Sequence, residues 1–364
     1  MNLKEKALEV LSIIESKGYS AYIVGGFVRD YLLNIESNDI DITTNAPLDL
    51  LSSWFDTINN GIDYYSVTIN YMNSLFEITH FRHDISYSDH RHPEVSLTNS
   101  IDEDLVRRDF TINALCFDKN LKIIDKYNGI SDLNNKIIRT IENPFKRFDE
   151  DVLRIFRGLY LMSKLGFDFE DTTKNAIVEC KTLISTLSND RIYEYMLKIN
   201  DGKYLDKTLK FINDYNLLSN NIEFNNWFKL LDNRLNKLSL NIRYFNEYNK
   251  YTSVITNDEK KLINSYLEIK NNETLGLYYN QDKIEELKNI FEYENVYDKY
   301  INKINSFKLK SDNELAMKKE DIAKEFEGKN KKIAINHIIK SILENRINNT
   351  KEEIKKELEV FKSE

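Results

Sequence analysis

From Leu3 to Lys17 the apolar residues Leu3, Ala7, Leu8, Leu11 and Ile14 recur at helical spacing, and Gly18 follows as a natural stop. The period then shortens. Ala21 to Val24, Ile40 to Ile42, Val67 to Tyr71, Leu75 to Phe81, Leu115 to Phe117 and Lys122 to Asp125 are short β-rich runs, which together predict one mixed sheet. Between Arg82 and Ser100 no period is sustained and His, Ser and Asp are frequent, so this stretch reads as a long mobile loop. From about Pro144 onward alternation disappears. Leu, Ile, Phe and Tyr recur at helical intervals between Asn- and Lys-rich breaks, without a fixed-period repeat. The pattern predicts an α+β fold: an N-terminal head with a mixed β-sheet and helices, followed by all-α segments.

Composition narrows the class. A chain of 364 residues with 41% hydrophobic content can bury two or more modest cores. No stretch reaches the roughly 18 apolar residues of a membrane span. Met1-Asn2-Leu3-Lys4-Glu5 opens an amphipathic helix rather than a signal peptide, so a cytoplasmic location without membrane association is expected. Cys116 and Cys180 lie far apart in apolar surroundings and read as reduced core residues. A net charge of −8 argues against a nonspecific nucleic-acid coat, though not against an enzyme that releases RNA quickly.

Three constellations carry chemistry. In Val24-Gly25-Gly26-Phe27-Val28-Arg29-Asp30 a glycine pair between strand and helix can offer backbone N–H groups to phosphate oxygens, with Arg29 facing the same anion. Asp39 and Asp41 follow in Ser37-Asn38-Asp39-Ile40-Asp41-Ile42. Alternation places both carboxylates on one face of a short strand, a donor pair suited to two hard cations such as Mg²⁺ and to nucleotidyl transfer. Either feature alone would read as a tight turn or two solvated aspartates; their order along the chain favours the functional reading.

The second constellation is Asp104-Leu105-Val106-Arg107-Arg108-Asp109-Phe110-Thr111-Ile112-Asn113-Ala114. On a helix Asp109 and Asn113 would be neighbours, with Arg108 supplying a guanidinium for phosphate. In the third, Arg147-Phe148-Asp149-Glu150-Asp151-Val152-Leu153-Arg154-Ile155-Phe156-Arg157, residues Asp151 and Arg154 would share a helix face. Standing alone, each could be an ion-paired helix surface.

Taken together, the patterns G-G-x-V-R-D, D-x-D, R-R-D-F-T-x-N-A and R-F-x-E-D-x-x-R, with Leu187-Ser188-Asn189-Asp190-Arg191-Ile192 after them, resemble the class II CCA-adding tRNA nucleotidyltransferases. These belong to the polymerase-β superfamily, close to bacterial poly(A) polymerases. The resemblance is strong over about residues 1 to 200. It implies a nucleotidyltransferase head at 1–143, a base-recognising neck at 144–204, a helical body at 205–304 and a tRNA-binding tail at 305–364. It further implies that Asp39 and Asp41 hold two Mg²⁺ ions, that Gly26, Arg29 and Arg108 contact the nucleotide, that Asp151 and Arg154 read its base, and that Arg157 helps hold it. CTP and ATP would be the substrates, and the tRNA 3′ end and elbow the partners; no obligate protein partner is evident.

Donor and acceptor chemistry fits that assignment. Cytosine and adenine each place an exocyclic amine beside an unprotonated ring nitrogen, so Asp151 can accept from one while Arg154 donates to the other. Uracil and guanine invert the pattern. The segment Phe81 to Pro93 resembles the flexible element that CCA-adding enzymes use in switching from C to A, and its full length favours CCA over CC addition. His83-Asp84, with His90 and His92, also spells a phosphohydrolase dipeptide, but the further ligands are not at helical spacing. Glu77 reads equally as a third acidic group or as a solvated strand residue.

The chain also departs from the family. Tyr160 stands where a nucleotide-contacting arginine is usual, Gly61 to Val67 lacks the second glycine and the basic residues usual there, and beyond about residue 205 the likeness is thin. Lys329, Lys331 and Lys332 are candidates for tRNA phosphate contacts. The rival readings are a poly(A) polymerase, a partial CC- or A-adding enzyme, and an inactive RNA-binding relative.

Overall fold

A computed structural model describes residues 1–59, 65–87 and 93–363. The chain forms two compact units, Met1–Lys229 and Leu230–Glu364. The first begins with α1 (Leu3–Ser16), which Asn2 and Glu5 start with a reciprocal capping box. Its buried face is Ala7, Val10, Leu11 and Ile14; Val10 belongs to it, while Leu3 and Leu8 lie at its margin.

Strand β1 (Ala21–Val24), helix α2 (Gly26–Leu32), strand β2 (Asp41–Thr44) and the short α3 (Leu48–Leu51) come next, followed by β3 (Asp56–Asn59), β4 (Ser66–Tyr71) and β5 (Ser74–His80). A ribbon of β6 (Arg82–Tyr87) and β7 (Pro93–Leu97) leads to α4 (Ile101–Val106), β8 (Leu115–Phe117), β9 (Ile123–Asp125), α5 (Gly129–Asn135) and β10 (Ile137–Ile138). Among the described residues the main sheet has the order β3-β4-β5-β2-β1-β8-β9, with β2 and β5 parallel and the other neighbours antiparallel. This is the expected mixed sheet, with β3 added at its edge. Asp56-Thr57-Ile58-Asn59 gives no apolar alternation because an edge strand can leave Ile58 exposed.

Arg82 to Ser100 is not the expected loop throughout. β6 and β7 pair antiparallel in a separate two-stranded ribbon. With Ile85 and Leu97 both exposed, no core imposes alternation on it, which is why its strands were illegible. His90 and His92 lie outside the described residues.

Helices α6 (Pro144–Glu150), α7 (Leu153–Leu165), α8 (Asp171–Cys180), α9 (Asn189–Asn200), α10 (Leu205–Asp214) and α11 (Ile222–Phe228) complete the unit; β11 (Asp168–Phe169) adds a short parallel pairing with β10. Helix α7 packs on α9 and α10 and buries Leu153, Ile155, Phe156, Leu159 and Met162. Beneath the head, Val24, Leu105, Ala114, Cys116 and Ile141 pack together, so β1, α4 and β8 share one core.

The second unit is helical among its described residues: α12 (Lys237–Tyr248), α13 (Asn257–Asn271), α14 (Glu273–Tyr279), α15 (Lys288–Tyr293), α16 (Tyr297–Ser306), α17 (Lys319–Lys324), α18 (Asn330–Leu343) and α19 (Lys351–Ser363). Its core includes Tyr266 stacked on Phe291, which meets Tyr300 edge-on. Gly276 lets α14 approach the end of α13, where an added Cβ would come within 2.4 Å of the Ile269 Cα.

Gly158 does the same for α7. A Cβ there would lie 2.7 Å from the Phe169 ring and 3.0 Å from that of Phe110, so the helix can reach the motif-bearing segment only without a side chain at this position. Gly158→Val is expected to destabilise the first unit by roughly 1–3 kcal/mol through overpacking. Urea unfolding followed by circular dichroism checks this; an unchanged midpoint would mean that the rings yield freely.

Candidate active site

Antiparallel pairing of β1 with β2 sets Val24, the last residue of β1, opposite Asp41, the first of β2. The glycine turn and the aspartate pair therefore meet at one end of the sheet. Gly25 has φ +73°, a conformation that disfavours any side chain, and a Cβ there would meet Arg108 Nη1 at 3.4 Å and Asp41 Oδ2 at 3.9 Å. Three sequence-distant motifs converge on that point. The open cleft has a volume of about 870 Å³, and its walls include Gly26, Arg29, Asp39, Asp41, Arg108, Asp151, Arg154 and Arg157, all eight of the expected site residues.

The carboxylate end carries unbalanced negative charge. Ile40 is buried between Asp39 and Asp41, as alternation requires, and Asp41 faces Glu77 directly across the parallel β2–β5 pair. Enclosure by the cleft, then the charges of Asp39 and Glu77, push the Asp41 carboxyl up to about 6 against the opposing pull of Arg108. Glu77, left open by the sequence, is thus an electrostatic neighbour of Asp41. Hard oxygen donors with surplus charge fit divalent cations. Among the described residues no group of three or more His, Cys, Asp or Glu side chains forms a ready-made metal site, so this donor set would draw further ligands from substrate and water.

Carboxylates hold Arg29, Arg107, Arg108, Arg154, Arg157 and Lys164. Arg29 is 5% exposed; its Nε donates to Asp30 Oδ1 at 2.8 Å and its Nη1 to Asn113 Oδ1 at 2.6 Å. Asp104, fully buried, accepts from Arg107 Nη2 at 2.6 Å, from Arg108 Nη2 at 3.1 Å and from the Arg82 backbone N–H at 3.3 Å, tying the start of the ribbon to the arginine pair. Burial works against the ionised carboxylate, but Arg108 and Arg107 outweigh it and hold Asp104 below the usual carboxylate range.

The segment from Asp104 to Ala114 is not one helix. It leaves α4 at Val106, becomes extended at Phe110 and closes in a single 3₁₀ turn, Thr111–Asn113. Asn113 Nδ2 nevertheless donates to Asp109 Oδ1 at 3.1 Å. Asp151 likewise does not share a helix with Arg154: it is extended (φ −148°, ψ 100°) at the break between α6 and α7, and its Oδ1 accepts the Leu153 N–H at 3.0 Å. Arg154 Nη1 donates to Glu150 Oε2 and to the Arg147 carbonyl, each at 2.8 Å.

Arg157 closes the network, 2.6 Å from Asp151 Oδ2 and 3.1 Å from Asp109 Oδ2. Burial opposes its charge, yet Asp109 and Asp151 more than compensate and keep it protonated. A continuous polar chain thus runs Arg29–Asn113–Asp109–Arg157–Asp151, from the glycine turn to α7. Tyr160, Lys164, Arg191 and Tyr195 also line the cleft. Arg191 falls within a quoted motif, and Lys164 lies one helical turn beyond Tyr160; that spacing was the available signal for it.

Residues 21–139 match the poly A polymerase head domain, and residues 166–223 match the probable RNA and SrmB-binding site of polymerase A. Among the chain's relatives are CCA-adding enzymes. That of Lactobacillus helveticus (strain DPC 4571) is 43% identical over 201 residues, covering 55% of this chain and 50% of that protein. That of Enterococcus faecalis (strain ATCC 700802 / V583) is 43% identical over 190 residues, covering 52% and 47%. The chain thus spans about half the length of the curated relatives it matches. In fold it is similar to the Bacillus stearothermophilus CCA-adding enzyme in complex with CTP, with a TM-score of 0.80 and 25% identity over 100% of this chain and 98% of the other. The Thermotoga maritima CCA-adding enzyme complexed with tRNA shares the fold at 16% identity, with a TM-score of 0.64 over 99% and 96%.

The raised Asp41 carboxyl has a stability consequence. Folded, it keeps its proton up to about pH 6, whereas its ordinary value is 3.8. Across that window the folded chain binds more protons than the unfolded one, so stability falls as pH rises and stays lowered above it. In a chelator, Asp41→Asn is expected to melt higher than the parent at about pH 7, with the difference vanishing at about pH 4. Equal melting at both pH values would reject the charge-crowding account.

Proposed function

We propose that this chain adds C, C and A to the 3′ end of tRNA from CTP and ATP, releasing pyrophosphate. The observation that carries the reading is the convergence of the aspartate pair, the glycine turn and the Asp151–Arg154 segment on one cleft. The relatives named as CCA-adding enzymes, and the B. stearothermophilus complex with CTP, favour it over a poly(A) polymerase. In this reading residues 1–143 act as head, 144–204 as neck, 205–304 as body and 305–364 as tail.

Asp39 and Asp41 would hold two Mg²⁺ ions. When bound, these lower the pKa of the primer 3′-hydroxyl and neutralise charge on the triphosphate. The chain supplies the rest. Gly26, at a turn that leaves no side chain in the way, lets the backbone approach phosphate, while Arg29 and Arg108 offer guanidinium donors to its oxygens. Asp151 and Arg154 present an acceptor and a donor that match C and A and oppose U and G. A mismatch would set a carbonyl against the carboxylate and an N–H against the guanidinium, which such sites can penalise by about 10⁴-fold. Arg157 holds Asp151 in place through their ion pair.

The ribbon β6–β7 would move between the C and A steps, its root set by the Asp104 hub. Lys329, Lys331 and Lys332 are exposed at the start of α18, where the helix dipole opposes rather than satisfies their charge, which leaves them available to phosphates of the tRNA elbow. Among the described residues no helix is long and apolar enough to cross a membrane. We place the enzyme in the cytoplasm.

Incubation with tRNA lacking its end, Mg²⁺ and each labelled nucleotide tests the reading: a defined C-C-A is expected, whereas an untemplated A run would assign a poly(A) polymerase. Asp39→Ala and Asp41→Ala should abolish incorporation while tRNA binding survives; undiminished turnover in either would remove the metal assignment. Asp151→Ala should admit UTP or GTP, and unchanged discrimination would reject the base-reading role.

A further inference from the structure

Beyond Arg157 the cleft face of α7 continues through Tyr160 to Lys164. Residues 154, 157, 160 and 164 follow one another at intervals that keep them on one helical stripe. From Arg154 to Lys164 the helix rises roughly 15 Å, comparable with an extended nucleoside triphosphate. The base-reading residues lie at one end of this stripe. Tyr160 adds no charge beyond Arg157, so the next cation is Lys164.

Lys164 Nζ sits 2.7 Å from Asp30 Oδ2, while Asp30 Oδ1 takes Arg29 Nη2 at 2.7 Å. One carboxylate thus anchors two cations, leaving the group with net positive charge. They differ in access: the Arg29 side chain is 6% exposed and the Lys164 side chain 30% exposed. Arg29 is further engaged by Asn113. An ammonium has three rotatable donors, so Lys164 can keep one hydrogen bond to Asp30 and turn the others to an anion.

We propose that Lys164 receives the terminal phosphates of the incoming nucleoside triphosphate, with Asp30 as the positioning residue that fixes Lys164 and Arg29 together. The inference rests on reading the cleft as a nucleotide site and deepens it: α7 measures the substrate from base to phosphate tail. The alternative is that Lys164 only neutralises the buried Asp30.

Calorimetric titration of the full chain in Mg²⁺ with CTP, CMP and inorganic pyrophosphate separates the two. Lys164→Met is expected to weaken CTP and pyrophosphate by about tenfold, the loss of one charge-assisted hydrogen bond, and to leave CMP unchanged. Lys164→Arg should retain most of the affinity for both. Unchanged CTP and pyrophosphate affinity, or equal weakening of CMP, would overturn the proposal. If Lys164→Met fails to fold by circular dichroism, Lys164→Gln keeps a hydrogen-bond donor for Asp30 without the charge and leaves the Arg29–Asp30 pair intact, and the same split between CTP and CMP is expected; its absence overturns the assignment. Pyrophosphate binding needs no RNA. A chain that binds it through Lys164 yet does not extend tRNA would reject CCA addition alone, and one that extends tRNA while Lys164→Met binds CTP normally would reject only this inference.

Discussion

The register of β2 between its two neighbours sets the site. Asp41 stands opposite Val24 on one side and Glu77 on the other, so one residue is fixed beside the glycine turn and beside a second carboxylate strand. A one-residue slip would turn Asp39 and Asp41 toward the core and Ile40 toward solvent. The buried Ile23, Ile42 and Ile78 resist that slip, because each would lose its apolar contacts. Hydrophobic burial beneath the sheet thereby holds in place a concentration of charge above it that would disperse if the chain were free.

That charge is arranged rather than neutralised. Asp30, Asp104, Asp109, Glu150 and Asp151 each hold one or more of the cleft's basic groups, at a low exposure that makes an unpaired partner expensive. Arg29, Arg108 and Arg157 therefore stand oriented before any ligand arrives, which reduces the ordering that binding would require. Asp41, by contrast, has like-charged neighbours and a raised carboxyl. The contrast divides the cleft into walls whose charges are largely paired and a carboxylate end that calls for a cation.

The chain of contacts from Arg29 through Asn113, Asp109 and Arg157 to Asp151 joins the head sheet to α7. Gly158 makes the approach possible by letting the Phe110 and Phe169 rings lie against the helix. The second unit carries its own aromatic and aliphatic core. It carries none of the eight expected cleft residues.

Much of this was legible in the order of residues. The Gly-Gly turn, the aspartate pair, most of the sheet strands and the helical character beyond Pro144 follow from short-range periodicity and steric preference, which act between residues a few positions apart. The ribbon β6–β7 was not legible, because its Ile85 and Leu97 stay exposed and no apolar alternation is imposed. The breaks at Phe110 and before α7 were not legible either, since local spacing suggested unbroken helices; tertiary pairing bends the chain so that Asp109 and Asp151 both reach Arg157. Sequence alone determined which chemical groups the protein has and the local geometry of the glycine turn and the aspartate pair. Only the tertiary structure decided which groups share a carboxylate, that Glu77 faces Asp41, and that Lys164 joins Arg29 on Asp30, because such contacts depend on strand register and helix packing between residues far apart in the chain.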